Sequence, residues 1–351
     1  MSKDKIFFVN DYSTVAHPNL INALSRANYT SQLGYGDDEY SNEARDLIKK
    51  QCGGDPDVFF LVGGTQVNMV FLSAALKSYQ GVISSHLGHI ATHETGAIES
   101  RGHKVLSVVT GSDGKVAASQ IKKICRAYNE DVNRLHTVQP GGVYISQPTE
   151  SGALYSKEEL IGISRVCDEN NLFLYVDGAR MGYALSSKQN DVSLQDLHLL
   201  SDCFYIGGTK CGAMIGEALV INNKKFTEEV EYSIKPNGAL LAKGMVLGLQ
   251  FKELFTDNLY INICKKANEM AQLIAKTLKD CGFTLYSESH TNQQFVIVPD
   301  KVLEQLEKKY EFAVWEKMDD GNTVIRICTS WSTDESMVES LVEDIKKYRL
   351  N

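Results

Sequence analysis

A chain of 351 residues is long enough to form two domains of ordinary size. Hydrophobic residues make up 43% of it and charged residues 23%, which is the composition of a folded globular protein and excludes a wholly disordered chain. The formal net charge of -8 provides no overall positive field, so we do not expect nucleic acids or anionic lipid surfaces as partners.

The sequence also has features that bear on its compartment. Near the N-terminus there is only a short apolar run at residues 6–9, without the cleavage pattern of a signal peptide. No stretch approaches the roughly 18 apolar residues of a membrane-spanning helix. The eight cysteines lie far apart, with no Cys-x-x-Cys pair. We therefore expect a cytoplasmic protein with reduced thiols and no membrane partner.

From residue 57 to about residue 222, short runs rich in β-branched and aromatic residues alternate with helix-like segments. This alternation predicts the α/β class, with a mainly parallel sheet covered by helices. The predicted strands are 58–62, 82–84, 104–109, 143–146, 172–176, 203–206 and 218–221. The predicted helices between them include 66–79, 118–128 and 157–170.

The pattern changes after the Lys-Pro-Asn-Gly segment at 235–238. Long helical stretches follow at 242–255 and 259–281, and then short strands and a final helix near 334–348. We therefore predict a large domain over residues 1–240 and a smaller α+β domain over residues 241–351.

Two predicted strands end in residues that carry chemistry. The run Tyr-Val-Asp-Gly-Ala-Arg at 175–180 ends a strand with Asp177, a glycine turn and Arg180. The run Gly-Gly-Thr-Lys at 207–210 follows a second strand and places Lys210 between glycines. Open α/β sheets bind ligands at the carboxyl ends of their strands, so we expect these side chains at one site. Taken alone, an aspartate in this position is also typical of an ordinary turn.

A lysine and a carboxylate in this order favour pyridoxal 5'-phosphate (PLP) as cofactor. A partly desolvated lysine loses its proton readily and forms Schiff bases with carbonyl compounds. A carboxylate that keeps a pyridine nitrogen protonated makes the PLP ring an electron sink. We therefore predict that Lys210 forms the Schiff base with PLP and that Asp177 holds the pyridine nitrogen.

Nearly the whole chain resembles the threonine aldolase group of fold-type I PLP enzymes, also called the β-eliminating lyase family. The resemblance extends from Asn-Asp-Tyr-Ser-Thr at 10–14 to Val-Ile-Arg-Ile at 324–327, and its most specific parts are the Asp-Gly-Ala-Arg run and the lysine segment. It implies an aspartate aminotransferase-like large domain followed by a smaller C-terminal domain.

The sequence Gly-Gly-Thr-Gln-Val-Asn at 63–68 follows a predicted strand and opens a predicted helix. It is similar to the family's phosphate loop, Ser-Gly-Thr-x-x-Asn, and so implies that Gly64, Thr65 and Gln66 bind the cofactor. Backbone N–H groups at a helix start, together with a threonine hydroxyl, suit a phosphate. An ordinary glycine turn between strand and helix is the alternative.

Three histidines occur within residues 86–93, followed by Glu94. The segment resembles the family's His-Ile-x-x-x-Glu sequence, which implies that His89 lies on the face of the pyridine ring. An imidazole can stack there and move protons, and a bound water is the alternative base for the substrate's β-hydroxyl proton. A metal site is the alternative reading of such a group. No paired carboxylate or cysteine pattern accompanies the histidines, so we predict no metal.

The resemblance also implies substrate contacts. It places Arg180 against the 3' oxygen of the cofactor and near the substrate, and it gives the substrate carboxylate to Arg326, whose guanidinium fork suits a carboxylate. A surface strand arginine is the alternative for Arg326. Ser13 and Tyr40 are further predicted substrate contacts. Tyr40, and with it Tyr35, lies in a segment that approaches the neighbouring subunit's site in the family.

The chain departs from the family pattern at three places. Asp-Tyr-Ser-Thr at 11–14 replaces the usual Arg-Ser-Asp-Thr, and Gln-Pro-Thr-Glu at 147–150 replaces an aldolase Thr-His-Asn segment, which removes a histidine near the substrate. The family arginine that reaches a neighbour's phosphate has no clear match at 238–243, where we predict Lys243 as the substitute. These departures leave the predicted cofactor site intact and bear on the substrate.

The resemblance implies aldol cleavage of a β-hydroxy-α-amino acid, with L-threonine or L-allo-threonine giving glycine and acetaldehyde. β-Elimination, racemisation and transamination share the early steps and stay open as alternatives, as does a non-catalytic PLP-binding protein. The expected ligand is a small amino acid. The expected assembly is a homodimer or homotetramer with active sites at the subunit interface.

Overall fold

The computed structural model describes residues 5–349. Its strands are β1 (Ile6–Phe7), β2 (Asp57–Leu61), β3 (Gln80–Ser85), β4 (Lys104–Val108), β5 (Gln139–Ser146), β6 (Phe173–Asp177), β7 (Cys203–Gly207), β8 (Glu217–Ile221), β9 (Leu285–Ser287), β10 (Gln293–Pro299), β11 (Tyr310–Glu311), β12 (Ala313–Lys317) and β13 (Asn322–Cys328). Its α-helices are α1 (Pro18–Arg26), α2 (Glu39–Cys52), α3 (Gly64–Ala75), α4 (His89–Thr92), α5 (Ala118–Glu130), α6 (Lys157–Glu169), α7 (Met181–Leu185), α8 (Leu194–Leu200), α9 (Thr227–Ile234), α10 (Met245–Phe255), α11 (Leu259–Asp280), α12 (Asp300–Leu306) and α13 (Glu335–Lys346).

A seven-stranded sheet forms the centre of the molecule, with the strand order β2-β8-β7-β6-β5-β3-β4. Strands β4, β3, β5, β6 and β7 pair in parallel, and β8 is antiparallel to both of its neighbours. All seven strands predicted from the sequence belong to this sheet. The predicted α/β class with a mainly parallel sheet is therefore confirmed.

The alternation of side chains along each central strand fills two apolar cores, one on each face of the sheet. Along β5, Val143 and Ile145 enter one core while Tyr144 enters the other. Along β6, Val176 and Tyr175 divide in the same way. Because these strands are buried on both faces, their sequences are almost continuously apolar.

Helix α3 differs from its predicted range of 66–79. It begins two residues earlier, at Gly64, and it ends at Ala75 because Leu76 takes an extended conformation with ψ 137°. The backbone N–H of Lys77 then donates to the side-chain oxygen of Gln80 (3.1 Å), which closes the turn into β3. The earlier start places the first turn of the helix directly after the end of β2.

A four-stranded antiparallel sheet, ordered β12-β13-β10-β9, forms the second part of the molecule, and a third apolar core lies between it and helices α11 and α13. The short strand β1 pairs in parallel with β11, and Phe8 enters this third core. Helix α10 packs against α1 and α2. Contacts therefore cross the predicted boundary near residue 240 in both directions, and the division into domains 1–240 and 241–351 stays a prediction.

Two further properties concern the chain as a whole. Among the helices in residues 5–349, none is both long and apolar enough to cross a membrane. All eight cysteines are buried free thiols.

Candidate active site

A cavity of about 200 Å³ lies at the carboxyl edge of the central sheet. Its walls come from the segments that follow β2, β5, β6 and β7, as expected for the strand ends of an open α/β sheet. Several residues predicted from separate motifs line this one cavity: Gly64, Thr65, His89, Asp177, Arg180 and Lys210.

Asp177 is the last residue of β6 and is almost completely buried. Its Oδ2 atom accepts hydrogen bonds from the Tyr144 hydroxyl (2.5 Å) and the Asn68 amide (3.4 Å), and its Oδ1 atom accepts from the backbone N–H of Ala179 (2.9 Å). Burial, and after it the Asp177 charge, raises the pKa of Tyr144 well above its ordinary range, so its hydroxyl remains a donor. The carboxylate is thus held in one orientation.

His89 begins α4, and its ring lies beside a buried glutamate. The Nδ1 atom of His89 is 2.8 Å from the Oε1 atom of Glu94, which also accepts from the Asn68 amide (2.8 Å). The Asn68 side chain therefore links Glu94 to Asp177. Because the Nδ1 proton is assigned to the bond with Glu94, the Nε2 atom of His89 is the ring nitrogen left for a ligand.

Lys210 follows the end of β7 in a tight turn. The backbone N–H groups of Gly208 and Thr209 both donate to the carbonyl of Gly216 (3.0 and 3.1 Å), and the Lys210 carbonyl accepts from the Tyr183 hydroxyl (2.7 Å). Burial, and after it the positive charge of Arg180, lowers the pKa of the Lys210 amine. A lowered pKa makes the neutral, nucleophilic amine more accessible than in a surface lysine.

Arg180 forms a two-point ion pair with Asp11. The Nε atom of Arg180 donates to Asp11 Oδ2 (2.7 Å), and its Nη2 atom donates to Asp11 Oδ1 (3.0 Å). Burial alone would raise the pKa of Asp11, but Arg180 and Lys210 outweigh it and the pKa is lowered. Within residues 5–349, no side chain or carbonyl accepts a hydrogen bond from Arg180 Nη1, which stays available for a ligand.

Arg326 lies on β13 and does not line the cavity. Its Nη2 atom donates to the Val9 carbonyl (2.9 Å) and its Nη1 atom donates to the Gln293 side chain (3.2 Å), while the buried Nε atom has no partner among residues 5–349. Its charge acts on His93, a neighbour of His89 outside the cavity wall: after burial and His89, Arg326 helps to lower the pKa of His93. Its predicted role in holding a substrate carboxylate stays a prediction.

Four other predicted residues do not line the cavity of the single chain. Gln66 turns its side-chain oxygen back to the N–H of Val62 (3.2 Å). Ser13 is exposed and donates to the Asn10 side chain (2.7 Å). Tyr40 is half-buried beneath the ammonium of Lys252, and Lys243 is exposed between α9 and α10. The roles of Tyr40 and Lys243 were predicted across a subunit interface, which a single chain does not contain.

Two acidic residues of the cavity wall were not predicted as site residues. Glu150 uses Oε1 to accept from the His89 N–H and the Ser146 hydroxyl (2.8 Å each), and burial raises its pKa. Glu217 is the first residue of β8, and burial raises its pKa to about 8. Glu150 stood in a segment already noted as a departure from the family. Glu217 carried no sequence signal beyond its position after the lysine turn.

The histidine segment contains no metal-binding cluster. In the described part of the chain, no three His, Cys, Asp or Glu side chains are arranged to hold a metal ion. His86 instead accepts a hydrogen bond from the Thr110 backbone N–H (3.2 Å), and His89 is bonded to Glu94.

The sheet order and the residues at its edge define a fold-type I enzyme with an aspartate aminotransferase-like fold. A Thermus thermophilus aspartate aminotransferase mutant superposes with a TM-score of 0.73 at 16% identity, covering 98% of this chain and 92% of that one. At that identity the likeness concerns the fold alone.

The chain belongs to the Beta-eliminating lyase family, whose model matches residues 8–301. It is 31% identical over 347 residues to a low specificity L-threonine aldolase from Pseudomonas sp. (strain NCIMB 10558), which covers 97% of this chain and 96% of the relative. It is also similar to the structure of a threonine aldolase from Leishmania major, with 41% identity and a TM-score of 0.95, over 98% of this chain and 99% of that one. The resemblance inferred from the motifs is confirmed.

Proposed function

We propose that this chain is a PLP-dependent carbon-carbon lyase that cleaves a β-hydroxy-α-amino acid, with L-threonine or L-allo-threonine giving glycine and acetaldehyde. The observation that carries the proposal is the meeting of the Lys210 amine, the Asp177 carboxylate and the first turn of α3 in one cavity. The threonine aldolases among its relatives support the choice of reaction.

The cavity residues fit PLP. The family is PLP-dependent, and each part of the cofactor has a matching group in this cavity. Thr65 and the first N–H groups of α3, which have no partner inside the helix, suit the phosphate. Asp177 suits the pyridine nitrogen, and Lys210 suits the aldehyde carbon. At Gly64 a Cβ atom would lie 2.7 Å from the Tyr205 hydroxyl, so only glycine lets the loop approach this wall.

Bound PLP would supply an electron sink for the pair released when the Cα–Cβ bond breaks. Asp177, fixed by Tyr144 and Asn68, would keep the proton on the pyridine nitrogen. Lys210 would attach the cofactor as a neutral amine, and the lowered pKa makes that form accessible.

His89 is the group we assign to the β-hydroxyl proton. Its Nδ1 atom is occupied by Glu94, so Nε2 would accept the proton as the C–O bond becomes a carbonyl and acetaldehyde leaves. Cα of the remaining fragment then takes up a proton to become glycine. Glu150 would position His89 through its backbone N–H (2.8 Å) rather than carry the proton.

The substrate carboxylate needs a cation, and two arginines are available. Arg180 lines the cavity, and Asp11 occupies its Nε and Nη2 atoms but not its Nη1 atom. Arg326 carries charge close to His93. We propose that Arg326 binds the carboxylate and that Arg180 contacts the 3' oxygen of the cofactor, as the family resemblance implies.

We further propose that the active form is a homodimer or a homotetramer. The predicted contacts Tyr40 and Lys243 lie outside the chain's own cavity, and neighbouring apolar side chains are exposed, including Leu33 at 71%. A second chain would cover the exposed apolar side chains. Tyr40 and Lys243 of each chain would then lie close to the site of the other chain. A molecular mass of one chain, measured by light scattering on active enzyme, would contradict the assembly.

We also propose a cytoplasmic location, which the free thiols support because cysteines stay reduced in that compartment.

Product analysis tests the reaction. The purified chain, loaded with PLP, is incubated with L-threonine and separately with L-allo-threonine, and acetaldehyde, glycine, ammonia and 2-oxobutanoate are measured. Acetaldehyde and glycine in equal amounts are expected. Ammonia with 2-oxobutanoate would mean β-elimination instead, and formation of D-alanine in a separate incubation with L-alanine would mean racemisation. Either result would replace the proposed reaction while retaining the cofactor.

A further inference from the structure

Glu217 is a buried carboxyl group in the cavity wall that the proposed reaction does not use. In the central sheet it pairs with Leu61 at the end of β2 and with Gly207 at the end of β7. Strand β2 leads into the Gly64–Thr65 turn, and β7 leads to Lys210. Glu217 therefore stands between the loop assigned to the phosphate and the lysine assigned to the aldehyde.

An acidic side chain is unexpected beside an anion site. A phosphate monoester carries a charge of about -1.5 to -2 at neutral pH, and an ionised carboxylate in the same cavity would repel it. Glu217 is only 5% exposed, so little water is available to screen that repulsion. The unfavourable pair is avoided if the carboxyl group keeps its proton, because it then becomes a hydrogen-bond donor.

The contacts of Glu217 are compatible with the protonated form. Its Oε2 atom accepts from the Gly208 backbone N–H (2.9 Å), which leaves the other oxygen to carry the proton. Burial raises the pKa of Glu217 to about 8; the Thr209 hydroxyl, the Lys210 charge and the Gly208 N–H act against burial, and the Asp177 charge acts in the same direction. The titratable groups that face Glu217 from the surrounding elements are Asp177, Tyr175, Tyr205, Lys210 and Tyr260.

We propose that protonated Glu217 donates a hydrogen bond to the phosphate of the cofactor, so that binding of a phosphorylated pyridoxyl ligand is coupled to the protonation of this one side chain. The inference rests on the proposed function, because it takes the Gly64–Thr65 turn as the phosphate site. It goes beyond that function by assigning to Glu217 a preference for the phosphorylated ligand over the unphosphorylated one at low and neutral pH.

The sign of the pH dependence follows from linkage. The phosphate favours the protonated carboxyl group, so affinity is full below the pKa of about 8 and is lost as the pH rises above it. The second ionisation of a phosphate monoester lies near pH 6, so its charge is almost constant above pH 7.5. The phosphate itself therefore contributes little to a loss of affinity between pH 7.5 and 9.5, and ionisation of the pyridoxyl ring and amine has to be cancelled by comparison with a ligand that lacks the phosphate.

Binding of two matched ligands to the full-length chain, after removal of its cofactor, tests the proposal. Pyridoxamine 5'-phosphate and pyridoxamine both lack the aldehyde, so neither forms a bond with Lys210. For the wild type we expect the Kd of the phosphorylated ligand, divided by that of pyridoxamine, to rise roughly tenfold or more from pH 7.5 to pH 9.5, since the protonated fraction of Glu217 falls by more than about tenfold. The ratio of the two Kd values isolates the contribution of the phosphate.

The variant Glu217→Gln cannot ionise, and its ratio of Kd values is expected to stay within about threefold over the same pH range. Glu150→Gln is the matched control, because Glu150 lines the same cavity but bonds to His89, and it should keep the wild-type slope. If Glu217→Gln keeps the wild-type slope, the proposal is wrong. If the wild type binds neither ligand at any pH, the proposed cofactor site fails instead, and this inference fails with it.

A measurement on the wild type alone covers the case in which Glu217→Gln does not fold. Calorimetric titration at pH 9 in two buffers of different ionisation enthalpy gives the number of protons taken up on binding. We expect an uptake approaching one proton for pyridoxamine 5'-phosphate in excess of that for pyridoxamine. Equal uptake for the two ligands would overturn the proposal.

Discussion

The Nδ1 atom of His89 lies 2.8 Å from the Oε1 atom of Glu94, inside a network that continues through Asn68 to Asp177. Glu94 is almost completely buried, so its contact with His89 is protected from water. The bond fixes the tautomer of the imidazole and leaves its Nε2 atom free for a ligand. The histidine and the aspartate of the site are therefore positioned by a shared set of contacts.

His89→Asn should lower kcat for L-threonine by about 100-fold, because the proton acceptor for the β-hydroxyl group is lost. The visible absorbance of the bound cofactor should remain. His93→Asn is the matched control: its ring lies 5.7 Å from that of His89 but does not line the cavity, and the rate should change by less than about threefold. A wild-type rate in His89→Asn would rule out His89 as the base.

Arg326→Gln should raise the KM for L-threonine by at least about tenfold, since a charge-assisted hydrogen bond to the substrate carboxylate contributes roughly 1.5–3 kcal/mol. Cofactor absorbance should be unchanged. Arg165→Gln, on the exposed side of α6, should leave KM unaltered. An unchanged KM in Arg326→Gln would contradict this role of Arg326 and would leave Arg180 as the arginine that binds the substrate carboxylate.

Asp11→Asn should lower the free energy of unfolding by about 3–5 kcal/mol, because it leaves the buried Arg180 charge without its partner. The side chain of Asp11 is 0% exposed and that of Arg180 is 14% exposed. Glu130→Gln breaks the exposed Arg126–Glu130 pair and should cost less than about 1 kcal/mol. Chemical denaturation of the three proteins gives the comparison, and equal costs for the two variants would contradict the buried-pair account.

Glu217→Gln should become more stable relative to the wild type as the pH rises from 5 to 8. The unfolded chain ionises Glu217 near its ordinary pKa of 4.5, whereas burial raises the folded value to about 8. In the wild type, the contribution of neutral Glu217 to the free energy of unfolding is thus fully present below pH 4.5 and is lost progressively as the pH rises to 8. In thermal melts of cofactor-free protein, the difference in Tm should grow by roughly 3 °C or more.

Glu159→Gln is the control for that experiment. Lys115 outweighs the effect of burial and lowers the pKa of Glu159, so this group is ionised in both states between pH 5 and 8. Its difference in Tm from the wild type should therefore stay flat. A flat difference for Glu217→Gln as well would mean that Glu217 ionises normally in the folded chain.

The sequence predicted the central sheet well because each of its strands is a local apolar run between turn residues. Strands β1 and β11 escaped prediction, since each has two residues and they pair across more than 300 positions. The same distinction holds at the site. Asp177 and Lys210 are found from strand ends, whereas the Asp11–Arg180 pair joins residues 169 positions apart and no local pattern predicts it.

Glu217 shows a different limit of sequence reasoning. A glutamate at the start of a strand is ordinary in sequence, and only its register beside Leu61 and Gly207 places it in the cavity. Its raised pKa likewise depends on burial, which the sequence does not specify. Roles that depend on a neighbouring subunit, such as those of Tyr40 and Lys243, were reached only through the family resemblance.

The most direct test of the account is to identify the lysine that holds the cofactor. The PLP-loaded chain is reduced with borohydride, digested and examined by mass spectrometry, with Lys210→Ala treated in parallel. We expect a phosphopyridoxyl group on Lys210 in the wild type and none in the variant. Labelling of a different lysine, or no labelling of the wild type, would contradict the assignment of the active site.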